Sequence, residues 1–356
     1  MRSNRPLRRA TRNRLFAVVA AVGLAVGMLS LAPAASASTV TVISPGANVL
    51  AAMLKLKAGD VLELNPGTYN TGYLRVTPMA SGTGSAPITI MAADPANPPL
   101  LLGGLRFYSP NYLNLTSLRI QGTAAGLAGL TMDGGTGWDV DKVEVWGAAQ
   151  TKSLANVVIM GTGGYPRQFM FSENCIHDAA DVTSTPSVDH NIYVTFQGSA
   201  ATSGSIIRNL IWNAPNGENI KLGDGGLAGA LGPWNVRVAN NTLAKAGRQI
   251  LLHANVSNNV IVGNLMYVAS APFVANPQTT QIYVHDMIGT GNYVSHTYWA
   301  YSTMLSYDPL KKVTYGLGNV LGKEPAFLGA FTCNGWRPTL PAAQVYGRWG
   351  TGAWAR

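Results

Sequence analysis

The sequence predicts an all-β fold, a right-handed parallel β-helix, from a repeated phrase, strand periodicity and many glycines. The phrase has apolar residues, a central Asn and an apolar residue two places later, and it occurs four times between residues 170 and 268. Its copies are Phe171–Ile176, Ile206–Ile211, Val238–Leu243 and Ile261–Met266, and Asn292 follows at a similar spacing. Self-similarity at roughly 20–45 residues indicates stacked repeats.

A second phrase lies between these copies and alternates like a half-buried strand. Its copies are Asn191–Val194, Asn219–Leu222 and Gln249–Leu252. Apolar residues at i and i+2 place Ile and Val in a continuous core. Asn tolerates the left-handed bends between strands, and stacked Asn side chains bond to one another.

The N-terminus predicts a signal peptide over residues 1–37. Six Arg residues precede an apolar run from Leu15 to Ala32, and Ala35–Ala37 provides small residues for cleavage. We therefore expect a secreted, extracellular protein without stable membrane association after cleavage. The alternative is an uncleaved membrane anchor, which the short apolar run disfavours.

Charge and composition exclude two classes of protein. The formal charge is +9, but without the six N-terminal Arg there are 19 basic against 16 acidic residues. No nucleic-acid partner is therefore expected. A hydrophobic fraction of 47%, with 40 Gly and only 12% charged residues, indicates a folded solenoid with tight turns and excludes disorder.

The remaining segments predict how the solenoid begins and ends. Val40–Ile43 alternates as a first strand, and Ala47–Leu56 suits a short helix that caps the N-terminal end. The β-helix is predicted over residues 38–297, with a less regular stretch at 139–169. Residues 298–356 are rich in aromatic side chains and form a predicted C-terminal capping segment.

The two cysteines, Cys175 and Cys333, leave their pairing open. Export permits a disulfide, but Cys175 lies inside a repeat phrase, where a buried apolar residue is expected. This position favours a buried thiol. The sequence has no C-x-x-C metal motif.

Three N-terminal motifs resemble the first coils of secreted β-helix polysaccharide lyases in the pectate-lyase-like superfamily. They are Ala58–Tyr69, Pro87–Ala92 and the pair Gly103–Gly104. The alginate lyase and chondroitinase B family is the most similar, and the resemblance covers most of residues 40–295. It implies a β-helix that acts on an acidic, uronate-containing polysaccharide.

One later stretch resembles the same family and the next coil departs from it. In Asn216–Asp224, Asn216 and Glu218 match the family motif, and Lys221 replaces its Arg. The family's following coil carries acids that bind calcium and a Lys that acts as the base. Gly247–Val256 lacks both Glu and has Asn255 where that Lys would be. Calcium stays a candidate cofactor without a predicted site.

Aligning the second phrases on their Ile residues brings polar side chains together on one outward face. Residues on adjacent coils are about 4.8 Å apart, so the alignment predicts neighbours at Tyr193/Lys221 and at Asn191/Asn219. A uronate lyase must neutralise the C6 carboxylate, remove the C5 proton and protonate the leaving oxygen. The predicted catalytic residues are Lys221, Arg248, His190, His253 and Tyr193. The predicted substrate-binding residues are Asn191, Asn219, Glu218, Asp178 and Asp189.

Three hypotheses follow, and the sequence alone does not separate them. The first is a lyase that cleaves a uronate-containing polysaccharide by β-elimination. The second is a non-catalytic glycan-binding or cell-envelope protein. The third is a C5-epimerase or a glycoside hydrolase, which needs two facing carboxylates. The hydrolase candidates are Asp178, Asp181, Asp189, Glu218 and Asp224.

Overall fold

A computed structural model describes most of the chain beyond the predicted signal peptide. The described residues are 38–148, 155–162, 164–179, 189–196, 198–199, 201–223, 232–267, 280–285, 289–300, 304–308, 311–322, 327–328, 332–333, 337–338 and 346. The predicted signal peptide and the candidates Asp181 and Asp224 lie outside them. Within the described residues, no helix has the length and apolar character needed to cross a bilayer.

The described chain is almost entirely strand, with a single helix, α1, at Val49–Met53. In chain order, the strands are β1 (Val40–Ile43), β2 (Val61–Leu64), β3 (Thr68–Val76), β4 (Ile88–Ala92), β5 (Leu100–Tyr108), β6 (Leu113–Thr116), β7 (Arg119–Gly122), β8 (Leu130–Asp133), β9 (Asp139–Asp141), β10 (Glu144–Trp146), β11 (Ala155–Met160), β12 (Phe169–Ser172), β13 (Cys175–His177) and β14 (His190–Thr195). They continue as β15 (Gly204–Ile207), β16 (Leu210–Leu222), β17 (Val236–Ala239), β18 (Thr242–His253), β19 (Val260–Val262), β20 (Leu265–Tyr267), β21 (Thr280–His285), β22 (Asn292–Ser295), β23 (Tyr298–Ala300), β24 (Met304–Tyr307), β25 (Val313–Tyr315), β26 (Val320–Gly322), β27 (Phe327–Leu328) and β28 (Arg337–Pro338).

Parallel pairing stacks these strands into coils, so the predicted right-handed parallel β-helix is confirmed as the fold class. Sheet 1 has the order β1-β2-β4-β6-β9-β12-β15-β17-β19-β22-β25, and every pair in it is parallel. Later coils add one strand to sheet 1 and either two strands or one long strand to a second sheet. One coil of the first kind consists of β12, β13 and β14, and one of the second kind consists of β15 and β16.

The second sheet divides into two faces because its longest strands bend. β16 pairs with β13 through Leu210–Trp212 and with β14 through Ile220–Leu222, and its register to β18 shifts between Ala214 and Glu218. We call the outer surface of β7, β10, β13, β20 and the first halves of β5, β16 and β18 face 2a. Face 2b is the outer surface of β8, β11, β14, β21 and the second halves of the same long strands.

Apolar side chains at alternate strand positions fill the interior, as the period-2 pattern predicts. One inward stack behind face 2b consists of Leu105, Leu130, Val157, Ile192, Ile220, Ile250 and Ile282. All seven are fully buried. Ile192 and Ile220 are partners across two strands, and so are Ile220 and Ile250. The predicted alignment of the second phrases is therefore confirmed.

The central asparagines of the first phrase form a buried ladder at the turn between sheet 1 and face 2a. The backbone N–H of Asn174 donates to Oδ1 of Asn209, and that of Asn209 donates to Oδ1 of Asn241, at 2.8 and 2.9 Å. The left-handed residue is the one before each Asn, with φ of 56° at Glu173 and 55° at Arg208. The Asn side chain therefore holds the next coil, and its neighbour makes the bend.

Asn292 belongs to a different ladder from the one its sequence spacing predicts. Its Oδ1 accepts from the N–H and Nδ2 of Asn259, at the turn between face 2b and sheet 1. In the coil that follows Asn264, Thr297 takes the ladder position, with its N–H donating to Oδ1 of Asn319.

The first strand is at Val40–Ile43, as predicted, but the first helix and the C-terminal strand pairing differ in extent from the prediction. Helix α1 is shorter than Ala47–Leu56, and its Val49 and Met53 are buried in the main core. Residues 139–160 contain regular strands. Parallel pairing continues past residue 297, because Tyr298 pairs with Val320, so the predicted end of the β-helix lies too early.

Cys175 and Cys333 form a disulfide, so the free buried thiol expected at Cys175 is wrong. Their Cα atoms are 5.6 Å apart across 158 residues of sequence. Cys333 packs in an apolar cluster on face 2a with Trp212, Tyr267 and Tyr298. The bridge therefore ties the C-terminal region to the side of the solenoid.

Candidate functional site

Face 2b carries the polar side chains that the sequence places together. Outward from the core, Tyr193 pairs with Lys221, Lys221 with Leu251, and Leu251 with Tyr283. Before the bend, Glu218 is the partner of Arg248. Five of the predicted residues are thus brought together: Tyr193, Lys221, His190, Glu218 and Arg248.

Glu218 is the buried anchor of this site. It is fully buried, and its two oxygens lie 2.8 Å from Nδ1 of His190 and 3.0 Å from Nε of Arg248. Burial alone would raise the pKa of Glu218, but the charges of His190, Arg248 and Lys221 outweigh it and hold the pKa below its usual value. Glu218 is therefore a buried anion that lies between an imidazole and a guanidinium group.

Lys221 and Tyr193 lie directly above this anchor. The ammonium nitrogen of Lys221 is 4.7 Å from the centroid of the Tyr193 ring, within the range of a cation–π contact. The other side of that ring faces His190, at 5.6 Å between centroids and a tilt of 57°. Lys221 is half-buried, whereas His190 is 1% exposed. Among these three residues, Lys221 therefore has the most exposed surface, and Tyr193 is 8% exposed.

Arg248 and His190 have little exposed surface, and each contacts an aromatic ring of face 2b. The Arg248 side chain is 10% exposed, its Nε faces Glu218, and its guanidinium carbon lies 4.4 Å from the centroid of the Tyr283 ring. His190 contacts the Tyr193 ring and Arg248 contacts the Tyr283 ring, so each residue orients one tyrosine. Their predicted catalytic roles stay predictions.

Two residues of this face, Tyr283 and His285, are missing from the sequence prediction. Gln281–His285 is a fourth copy of the second phrase, and His285 pairs with His253 in the strand register. The signal was present, because Gln281-Ile282 repeats Gln249-Ile250. His253 itself contacts His285, with 3.1 Å between Nε2 of His253 and Nδ1 of His285.

The outward orientation predicted for Asn191 and Asn219 is wrong. Both side chains are fully buried at the bend, where Asn191 Nδ2 donates to Asn219 Oδ1 and Asn219 Nδ2 donates to Gln249 Oε1. Their second amide hydrogens donate to main-chain carbonyls of Trp212 and Ala244. These side chains hold the coils together and do not present a surface to substrate.

Two further residues predicted to bind substrate, Glu218 and Asp189, are also buried. Glu218 has no exposed surface, and Asp189 is 1% exposed. The backbone of Asp189 packs closely on Gly217, where a Cβ would lie 1.9 Å from its carbonyl oxygen. Direct contact between either carboxylate and a polysaccharide therefore needs a rearrangement of the bend, and we correct both predictions.

Asp178 lies on face 2a, in a separate polar cluster that the sequence did not reveal. Its Oδ2 is 2.8 Å from Nδ1 of His177, and its Oδ1 accepts from Asn213. Nε2 of the same His177 is 3.1 Å from Glu144, whose other oxygen pairs with Arg119. Asp178 is therefore not a neighbour of the residues on face 2b.

The side chains of this site are poorly suited to bind calcium. Calcium needs six to eight oxygen ligands, whereas both oxygens of Glu218 already face nitrogen atoms of His190 and Arg248. One group of three potential donors, Cys175, His177 and Cys333, clusters within 4.8 Å among the described residues. Its two sulfurs are joined to each other, and sulfur and imidazole donors do not suit calcium.

The comparisons with known proteins agree on the fold. No protein-family model matches the chain, and no curated protein matches it. An alginate lyase from Paenibacillus sp. str. FPU-7 has a similar structure, with 21% identity, a TM-score of 0.54 and coverage of 81% of this chain and 96% of that chain. The resemblance to secreted β-helix lyases is thereby confirmed for the fold.

Two further solved structures are similar at lower TM-scores. One is alginate lyase AlyF-OU02 with G6, at 14% identity, a TM-score of 0.46 and coverage of 79% of this chain and 63% of that chain. The other is the Dettilon tailspike protein gp208, at 15% identity, a TM-score of 0.46 and coverage of 81% and 58%.

Proposed function

We propose that this protein is an exported polysaccharide lyase that cleaves a uronate-containing polymer by β-elimination on face 2b. The observation that carries the proposal is the contact of the half-buried Lys221 ammonium with the Tyr193 ring, beside the buried Glu218 anchor. The solved structure with the higher TM-score is named an alginate lyase, which supports the same class. The Cys175–Cys333 disulfide supports export, because such bonds persist in oxidising compartments.

The pair supplies the groups that β-elimination requires. A base removes the C5 proton, the bond between C4 and the glycosidic oxygen breaks, and an acid protonates the departing oxygen. We assign the neutralisation of the C6 carboxylate to the Lys221 ammonium and the exchange of protons to the Tyr193 hydroxyl. We assign His190 and Arg248 as positioning residues, because Glu218 holds both and each contacts a tyrosine ring of face 2b.

Hydrolysis is less well supported by the carboxylates that the structure describes. A glycoside hydrolase needs two carboxyl groups that flank one bond. Glu218 is buried between His190 and Arg248, Asp189 is buried, and Asp178 is on face 2a. A C5-epimerase abstracts the same C5 proton, so epimerisation remains an alternative reaction at the same proposed site.

A non-catalytic glycan-binding protein is the competing hypothesis, favoured by the missing calcium acids and Lys base of the resembled family. The test is to incubate the mature chain with alginates, pectins and glycosaminoglycans, with calcium or a chelator. Ultraviolet absorbance reports the C4–C5 double bond, and chromatography reports chain length. Rising absorbance with shortening supports the lyase. Saturable binding with unchanged product size, unsaturation and C5 configuration would instead support the binding protein.

Variants of Lys221 and Tyr193 then test the site. We expect Lys221→Ala or Tyr193→Phe to lower kcat/KM by about 100-fold or more, the range for lost acid–base groups, with an unchanged unfolding transition. Lys221→Arg separates two roles of Lys221, because Arg keeps the charge and cannot be deprotonated in proteins. Lys142→Ala, at an exposed lysine of sheet 1, is the matched control. Full activity in Lys221→Ala would overturn the site assignment.

A further inference from the structure

Beyond Lys221 along the helix axis, face 2b carries a second group of polar side chains. In the strand register, Lys221 is followed by Leu251 and then Tyr283, and His253 is followed by His285. Coils are about 4.8 Å apart, so Tyr283 is two coils, or about 10 Å, from Lys221. His285 is exposed, and Tyr283 and His253 are half-buried.

These three side chains form one connected unit. Nδ1 of His285 lies 3.1 Å from Nε2 of His253, so one imidazole donates a hydrogen bond to the other. The Tyr283 ring stacks on His285 with 5.7 Å between centroids and a 20° interplanar angle. Arg248 holds the Tyr283 ring at 4.4 Å. Arg248 also contacts Glu218, so it connects this unit to the buried anchor. The unit presents imidazole and phenol groups to solvent.

The same two rows of side chains differ on the other side of Lys221. On that side, Val158 comes before Tyr193 in the row of Lys221. In the row of His253, Met160 lies on the same coil as Val158. Farther along, the cation of Arg106 is paired with the buried Asp133 at 2.6 Å. The N-terminal side of these rows also carries Arg106, Tyr108 and Thr195, but among its described residues it has no imidazole, whereas His253 and His285 both lie on the C-terminal side of Lys221.

We propose that His253, Tyr283 and His285 form a subsite that binds an acidic sugar next to the reacting one, a proposal that rests on the function assigned above. A chain lying along the helix axis places successive sugars on successive coils. The imidazole N–H groups hydrogen-bond the carboxylate of that sugar, and the stacked Tyr283 and His285 rings pack against it. The polymer therefore extends from Lys221 toward the C-terminal coils.

The experiment uses the double variant His253→Gln/His285→Gln in the full mature chain, with His296→Gln at an exposed histidine elsewhere as the matched control. Loss of charge-assisted hydrogen bonds is expected to raise KM for an oligouronate by about tenfold, with a much smaller change in kcat. The Kd of the same oligouronate, measured by calorimetry in the Lys221→Ala background, should weaken by a similar factor. The effect should disappear for oligomers too short to span two coils.

The outcomes separate the subsite from the function. An active enzyme whose KM and oligouronate Kd are unchanged by the double variant would overturn the subsite and leave the lyase intact. A loss confined to kcat would also overturn it, because a binding subsite acts on KM. A protein without elimination activity, but with oligouronate affinity that depends on both histidines, would retain the subsite and reject the lyase.

Discussion

Two clusters on adjacent faces of this solenoid are built from the same three residue types. On face 2b, Glu218 lies between His190 and Arg248. On face 2a, Glu144 lies between His177, at 3.1 Å, and Arg119, at 2.5 Å. In each case one carboxylate joins an imidazole to the Nε of an arginine. A triad of this kind is therefore not sufficient to mark an active site.

The surroundings of the two triads differ. His177 is stacked between Trp146 and Trp212 at interplanar angles of 7°, with centroids 5.8 and 4.6 Å away. The disulfide sulfur of Cys333 is 3.2 Å from Glu144. On face 2b, the Glu218 triad lies beneath Lys221 and Tyr193. The imidazole of one triad is held between two tryptophan rings, and that of the other contacts Tyr193, which in turn contacts Lys221.

The largest expected effect comes from removing the charge of each carboxylate in turn. Glu218→Gln leaves the buried Arg248 guanidinium without its counter-charge, so we expect a loss of about 3–5 kcal/mol in the free energy of unfolding. Glu144→Gln should cost less, because the Arg119 side chain is 39% exposed and water screens its charge. Urea unfolding at pH 7 measures both, and equal losses would contradict the distinction.

The pH dependence of the Glu218 variant sharpens this test. The pKa of Glu218 is lowered in the folded protein, so its stabilising contribution is present above its unfolded pKa and is lost as pH falls through the folded pKa. The difference in unfolding free energy between the native chain and Glu218→Gln should therefore shrink in acid. A difference that stays constant from neutral to acidic pH would mean that the carboxylate is not the source of the loss.

The disulfide should contribute to stability and not to chemistry. Cys175→Ser/Cys333→Ser is expected to lower the free energy of unfolding by about 2–4 kcal/mol, while kcat/KM for the proposed reaction stays within a few-fold. The bond borders a cavity of about 410 Å³ lined by Arg119, Glu144 and Cys333, so a phosphine reductant should reproduce the effect on the native chain. Loss of activity with unchanged stability would place the functional site on face 2a instead.

Sequence reasoning reached the strand register of face 2b because strand alternation is strictly periodic. Ile192, Ile220 and Ile250 align as predicted, and this alignment alone places Tyr193 beside Lys221. The same rule fails where strands bend. Asn191 and Asn219 are at the bend between the two faces, where alternation no longer separates inside from outside, and the amide ladder buries both.

The face 2a cluster was beyond sequence reasoning for a different reason. Arg119, Glu144 and His177 come from successive coils 25 and 33 residues apart, but the first two lie outside the repeated phrases. Nothing in the sequence therefore fixes their register. The disulfide is similar, since Cys333 lies 158 residues from its partner. Contacts between repeats are predictable from the repeats, and contacts to the irregular segments are not.

The smallest expected effect concerns the charge of His177. Burial alone would lower the pKa of His177, but its hydrogen bonds with Asp178 and Glu144 outweigh burial and raise the pKa above 6.5. The protonated imidazole therefore stabilises the fold below its unfolded pKa, and the contribution disappears as pH rises through the folded pKa. His177→Gln should thus cost more stability at pH about 5.5 than at pH about 9, by around 1 kcal/mol or less for a partly exposed network. His296→Gln is the control, and thermal unfolding at both pH values is the measurement. A cost for His177→Gln that is equal at the two pH values would mean that stacking between Trp146 and Trp212, and not charge, holds this imidazole in place.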